Sequence, residues 1–217
     1  FNHESALGML GIGIDYVDCD ADHGLLPDCD HIAAAINDKT RAVALVSPNN
    51  PTGSIYPENL LLEIFKLCQS RGIWLILDET YRDFLPLDQD LPHPLFAQDK
   101  WQDTLIQLYS FSKAYRLTGH RVGAIVAATD RMAQVEKWLD TVTICPNQLG
   151  QRAALWGMEN LGEWLAGERT EILARRAAME AGFTTLPDWG LLGCGAYFAY
   201  VAHPFDKRSD AVAKSLV

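Results

Sequence analysis

The sequence predicts an α/β fold, a mostly parallel sheet with helices on both faces, followed by the start of a smaller C-terminal α+β unit. Three observations carry this. Apolar runs of strand length recur at 41–46, 73–77, 105–109 and 122–128, with amphipathic stretches of helix length between or after them. The runs are continuous rather than alternating, as in strands buried on both faces of a parallel sheet. The runs ending near 46, 77 and 109 empty into polar residues at their carboxyl ends, where ligands gather in such sheets.

Taken in order, residues 1–12 mix polar and apolar positions around Gly8 and Gly11 and predict a short helix and turn. The alternation over 14–18 predicts a strand, and 20–27 is turn-rich. Asp28 is placed to N-cap a helix over 29–37, with Ile32 and Ile36 on one face. The run 41–46 predicts a buried strand, and the residues after it form a loop by composition. Pro57 suits the first turn of a helix reaching about Ser70, with Leu60, Leu61, Ile64, Phe65 and Cys68 on one stripe and Gly72 closing it. The strand 73–77 delivers Asp78 at its carboxyl end, and a proline-rich connection covers 85–95. After the strands 105–109 and 122–128, Asp130 is placed to cap a helix through Val142, which Cys145-Pro146-Asn147 breaks. Helices over 148–159 and 162–181 follow, the second partly solvent-exposed because its charges run all round. Residues 195–201 predict a new strand.

Composition narrows the function classes. Apolar residues make up 48% and charged residues 21% of the 217, which argues against disorder. The net charge of −10 disfavours nucleic acid or an anionic membrane as partner, since either needs a basic face. No apolar run reaches the ~20 residues that span a bilayer. Cys19, Cys29, Cys68, Cys145 and Cys194 are dispersed without CxxC pairs, which fits reduced thiols, and no basic start with an apolar stretch opens the chain. A cytoplasmic setting is the expectation. The histidines lack metal-ligand spacing, so no metal site is expected.

The chemistry concentrates in Ser110-Phe-Ser-Lys-Ala-Tyr-Arg-Leu-Thr-Gly-His-Arg-Val-Gly123. Between two apolar runs stand Lys113, two serines and an arginine eight positions after the lysine. Desolvation frees a lysine amine as nucleophile or base. Hydroxyls and a planar two-pronged cation are the groups that hold a phosphate. Asn50, Asp78 and Ser110 all lie at or just past a strand's carboxyl end, so three distant segments converge on one edge.

This segment resembles the lysine region of the class I/II aminotransferases, the fold-type I enzymes that use pyridoxal 5'-phosphate (PLP). Ser47-Pro-Asn-Asn-Pro-Thr-Gly53 and Leu77-Asp-Glu-Thr-Tyr-Arg-Asp-Phe84 resemble two further family motifs, in the family's order. Arg116 departs from the pattern, standing where the family usually carries a small or aliphatic residue. The resemblance implies transfer of an amino group between an amino acid and a 2-oxo acid. It implies that Lys113 forms the Schiff base with PLP and carries the proton at the substrate Cα. By the same resemblance Asp78 would pair with the pyridine nitrogen, Tyr81 and Asn50 would bond the ring oxygen, and Ser110, Ser112 and Arg121 would hold the phosphate.

The resemblance further implies a homodimer, a PLP-binding large domain over 1–160, and an interdomain helix with the start of a small domain over 161–217. Family members are nearly twice this length, so these residues are expected to be the middle of a larger protein. A phosphate-binding glycine turn and a ring-stacking aromatic would precede them, and an arginine for the substrate carboxylate would follow. Lys207 and Arg208 come too soon after the last strand to be that arginine. The shared cofactor motifs leave open a C–S β-lyase, an aminotransferase-like effector domain of a transcription regulator, or an inactive fragment.

Overall fold

Local chemistry sets the first elements. In a computed structural model, which describes residues 2–89 and 91–216, a helix α1 spans Asn2–Met9. The strand expected at 14–18 does not form: those residues find no partner strand, and only Ile14 and Val17 are partly covered. Pairing begins one residue later, where Cys19–Asp20 (β1) runs antiparallel to Leu26–Pro27 (β2) around Gly24 at φ 71°. Asp28 caps the helix α2, Cys29–Ala35, by accepting from the amides of Asp30 and His31. This helix ends two residues before the predicted boundary.

The sheet follows the apolar runs. Strands β3 (Ala42–Val46), β4 (Trp74–Asp78), β5 (Leu105–Ser110) and β6 (Gly123–Val126) lie in the order β3-β4-β5-β6. The first three are parallel, and β6 returns antiparallel along β5. Between β3 and β4 runs α3, Glu58–Arg71, opened by Pro57 and closed by Gly72 at φ 64°. Its apolar stripe, Leu61, Ile64, Phe65 and Cys68, packs with Leu45, Leu75, Leu77 and Leu105 into the main core. Complete burial of each such aliphatic or aromatic side chain contributes ~1.5–3 kcal/mol, so this face sets most of the unit's stability.

The opposite sheet face is more open. Successive strand residues point to opposite sides, so Trp74 lies across the sheet from Leu75, and Arg131 stacks over its ring at 4.3 Å. Arg131 belongs to α4, Thr129–Val142, which follows β6. The edge strands fall short of the two-sided burial predicted from their composition. Ala44 of β3 is exposed, and so are all four residues of β6. Asp130 lies in the first turn of α4 rather than at its cap, where Ala128 makes no side-chain bond.

Two helices complete the frame, α5 (Gln148–Asn160) and α6 (Gly162–Phe183). As predicted, α6 is partly solvent-exposed, and none of its residues is fully buried. The last predicted strand is in fact a hairpin: Gly190–Gly195 (β7) pairs antiparallel with Phe198–Ala202 (β8), and Ala196-Tyr197 make its turn. A helix α7, Ser209–Ser215, follows. No helix among the described residues is long and apolar enough to cross a membrane.

Candidate active site

The strand register brings the three motif segments to one edge. Val46 pairs with Asp78, and Asp78 pairs with Leu108, so β3, β4 and β5 end at nearly the same level. The Ser47 amide donates to the Asp78 carbonyl (3.0 Å) and the Glu79 amide to the Leu108 carbonyl (2.9 Å). These bonds carry the ladder one residue beyond the strands. The 47–53 loop, the 78–81 segment and the lysine turn therefore leave from a common line.

Asp78 is held from two sides. Thr80 donates its hydroxyl (2.7 Å) and its amide (3.0 Å) to Asp78 Oδ1, while His3 Nε2 on α1 lies 3.2 Å from Oδ2. Burial works to raise the Asp78 pKa, but the hydrogen bonds from His3 and Thr80 outweigh it and hold the carboxyl below its ordinary range. The sequence reading gave neither His3 nor Thr80 a role.

Tyr81 is buried beside this carboxylate, and Asn50 comes towards its hydroxyl from the 47–53 loop. Burial, then the Asp78 charge, raise the phenol's pKa, and the Asn50 side chain partly offsets them. Lys113 Nζ lies 5.8 Å from the centroid of the Tyr81 ring. Beyond the lysine, Arg121 Nη1 donates to the Thr118 carbonyl (2.9 Å) and to Ser112 Oγ (3.4 Å), and the Ser112 amide donates to Ser110 Oγ (3.3 Å). Ser110, Ser112 and Arg121 are thus joined by hydrogen bonds, while Lys113 meets the ring of Tyr81, whose hydroxyl feels the Asp78 charge and the Asn50 side chain.

The turn itself is packed from the α5 side. Tyr115 lies so close to Gly157 that a Cβ there would sit 2.8 Å from its Cδ1. Asn147 caps α5 by accepting from the Gly150 amide (2.6 Å) and donates to the His120 carbonyl next to Arg121.

A second polar group lies behind Asp78. Glu79 is 1% exposed, receives a hydrogen bond from Gln107 and has Arg82 Nη1 at 3.5 Å. His93 Nδ1 accepts from the Leu95 amide (3.2 Å), which leaves its proton on Nε2, 3.2 Å from Glu79 Oε1 but poorly aligned for a hydrogen bond. Thr52, also without an assigned role, bonds Asn49 Oδ1 (2.9 Å) and Ser54 Oγ (3.0 Å) and so shapes the 47–53 loop. The five cysteines are free thiols. Among the described residues no cluster of histidine, cysteine, aspartate or glutamate could hold a metal ion.

The β7–β8 hairpin closes over the aromatic end of the site. Phe198 meets Tyr81 edge-on at 5.0 Å, and Tyr197 lies 5.8 Å from Tyr81 and 4.8 Å from Phe84. Burial, then the nearby Glu168 carboxylate, push the Tyr197 phenol up to about 12 against the opposing charge of Arg116.

The chain is 28% identical over 218 residues to the aromatic aminotransferase ISS1 of Arabidopsis thaliana, covering 97% of this chain and 54% of that protein. It is 32% identical over 164 residues to the glutamate-pyruvate aminotransferase AlaA of Haemophilus influenzae, covering 71% of this chain and 40% of that one. Among solved structures, a PLP-dependent aminotransferase from Streptococcus suis superposes with a TM-score of 0.81 at 22% identity, covering 96% of this chain and 55% of its own. An alanine aminotransferase from Pyrococcus furiosus gives 0.80 at 24%, covering 94% and 52%. Such likeness shows a common fold, and the chain spans about half the length of the relatives it matches. The family model for class I and II aminotransferases matches residues 1–217, and the chain belongs to that family.

Proposed function

We propose that these residues are the cofactor-binding part of a PLP-dependent aminotransferase, which moves an amino group between an amino acid and a 2-oxo acid. The observation that supports this best is the polarity of the site along the sheet edge. At one end stands a carboxylate kept ionised by His3 and Thr80, in the middle a phenol and an amide beside a lysine amine, and at the other end two hydroxyls and a guanidinium. This donor set fits PLP, whose ring nitrogen, ring oxygen, aldehyde and phosphate follow one another in that order.

Bound there, PLP supplies an electron sink for a bond broken at an amino acid's Cα. The chain's own residues divide the remaining work. Asp78 holds a proton on the ring nitrogen, because a carboxylate below its ordinary pKa stays charged at neutral pH. Asn50 and Tyr81 would orient the ring oxygen, Ser110, Ser112 and Arg121 would bind the phosphate, and Lys113 Nζ would hold the cofactor at its aldehyde and, once a substrate amine has displaced it, would carry the proton at the substrate Cα.

The same reading assigns 1–160 to the large domain and 161–217 to an interdomain helix with the start of a small domain. It also makes the whole protein a cytoplasmic homodimer. The test is borohydride reduction of the purified chain with PLP, then peptide mapping. A pyridoxyl group on Lys113 is expected, absent in Lys113→Ala and at least tenfold weaker in Asp78→Ala and Arg121→Ala. Labelling spread over surface lysines, unaffected by these changes, would sink the assignment.

A further inference from the structure

Arg116 is the one position where the lysine segment departs from its family's pattern, and the structure gives it a specific surrounding. Its backbone is left-handed, φ 54°, a conformation that side-chain-bearing residues rarely adopt. Its amide donates to the Lys113 carbonyl (3.0 Å) and so closes the turn that presents the lysine. Its side chain leaves the turn towards α6. There the guanidinium lies 5.3 Å from the Trp164 ring centroid and donates through Nη2 to Glu168 Oε2. Trp164 and Glu168 are four residues apart and share one face of the helix.

The next residue of α6 reaches the other half of the site. Arg169 donates Nε to the Leu85 carbonyl (2.7 Å), and Nη2 to the carbonyls of Pro86 and Gln89, the latter at 2.9 Å. These carbonyls lie just beyond Tyr81 and the turn Arg82–Phe84. On the same helix, Leu165 and Ile172 pack on the cluster of Tyr81, Phe84 and Ala114. One short stretch of α6 therefore grips the segment after Asp78 and the turn bearing Lys113, which have no covalent link nearer than β5.

We infer that α6 is a brace that sets Lys113 against Tyr81, with Arg116, Trp164 and Glu168 as positioning residues for the lysine turn. The contacts stand on geometry alone, and their consequence for cofactor capture rests on the reading of Lys113 above. A planar guanidinium suits this place because it can stack on an indole and bond a carboxylate at once. A small residue at 116 would leave the turn with its apolar contacts to α6 but without the polar link. The brace couples any displacement of α6, and of the hairpin that follows it, to the lysine.

The test uses the full chain without cofactor, so that its failure and the failure of the cofactor reading can be told apart. Amide hydrogen exchange over 112–117 is compared in the parent, Glu168→Gln, Glu168→Asp and Trp164→Leu, with the β4 amides as the measure of global stability. Glu168→Gln and Trp164→Leu are expected to speed exchange in the turn about three- to tenfold, leaving β4 unchanged, although they lie some fifty positions away. Glu168→Asp keeps the carboxylate and is expected to restore at least half of the lost protection. Equal effects of Asp and Gln, or none from either, overturn the brace. Borohydride capture of PLP on Lys113 gives the second readout, expected to slow several-fold in Glu168→Gln. A parent chain that captures no PLP would overturn the cofactor reading while the exchange comparison still decides the brace. A parent that captures PLP at the same rate as Glu168→Gln, with the same exchange, would overturn the brace alone.

Discussion

At the scale of single residues, the charge on Asp78 is the feature on which the site's polarity depends. The Asp78 side chain is 22% exposed, so burial alone would favour the neutral acid; His3 and Thr80 reverse that preference. A carboxyl whose folded pKa is depressed adds stability above its unfolded pKa of ~3.9 and loses it as pH falls through the folded value. Removing His3 moves the folded value upward and shrinks that contribution. His3→Ala is therefore expected to raise the Asp78 pKa in a carboxyl NMR titration and to shift acid unfolding to higher pH. It should cost ~1 kcal/mol at neutral pH, the net worth of one hydrogen bond. Thr80→Val should move the titration in the same direction, and an unchanged Asp78 midpoint in both variants would refute the pairing. Asp78 was legible in the sequence because it ends an apolar run, whereas His3 was not. A lone histidine 75 positions upstream carries no periodicity, and only the fold brings it to the carboxylate. His93 was hidden for the same reason, whereas Glu79 stood in the motif but showed its buried partners only in the fold.

At the scale of elements, legibility followed side-chain pattern. Strands β3, β4 and β5 are dense in aliphatic residues and were readable from composition. Strand β7 was not, because Gly190-Leu-Leu-Gly-Cys-Gly195 has three glycines in six and offers neither alternation nor β-branched residues. Those glycines answer to a contact with the distant 47–53 loop. A Cβ at Gly53, whose φ is 75°, would lie 2.5 Å from the Gly195 amide nitrogen, and Cβ atoms at Gly193 and Gly195 would strike the carbonyls of Thr52 and Gly53. The hairpin thus packs backbone to backbone against the loop that carries Asn50. Because backbone cannot swing aside, Gly53→Ala is expected to destabilise the chain by ~1–3 kcal/mol in urea unfolding. Gly167→Ala, in exposed helix with nothing within 4 Å of the new methyl, should instead stabilise by ~0.5–1 kcal/mol. Equal effects at the two sites would mean that the close approach of loop and hairpin does not exist in solution.

At the scale of the molecule, the mostly parallel sheet and its single carboxyl edge followed from alternating apolar runs and helices. The uneven coverage did not, since apolar composition says a strand should be buried without saying by what. The α3 side is closed, while β6 lies at the sheet's edge with Ile125 and Val126 exposed. Beyond it, α4 and α5 show Trp138 and Trp156, each 58% exposed, together with Val142, Ile144, Leu149 and Leu155. Exposed apolar side chains of this size favour association if they adjoin, and an edge strand adds backbone donors and acceptors. The net charge of −10 opposes association through repulsion that salt screens. Sedimentation of the purified chain is therefore expected to give a mass that rises with concentration, and further in 0.5 M salt, where the Debye length falls below ~5 Å. Trp138→Glu combined with Trp156→Glu should return it to the monomer with an unchanged far-ultraviolet dichroism spectrum, since neither side chain belongs to a buried cluster. A chain that stays monomeric at every concentration and salt would show that this face is tolerated in water and needs no cover.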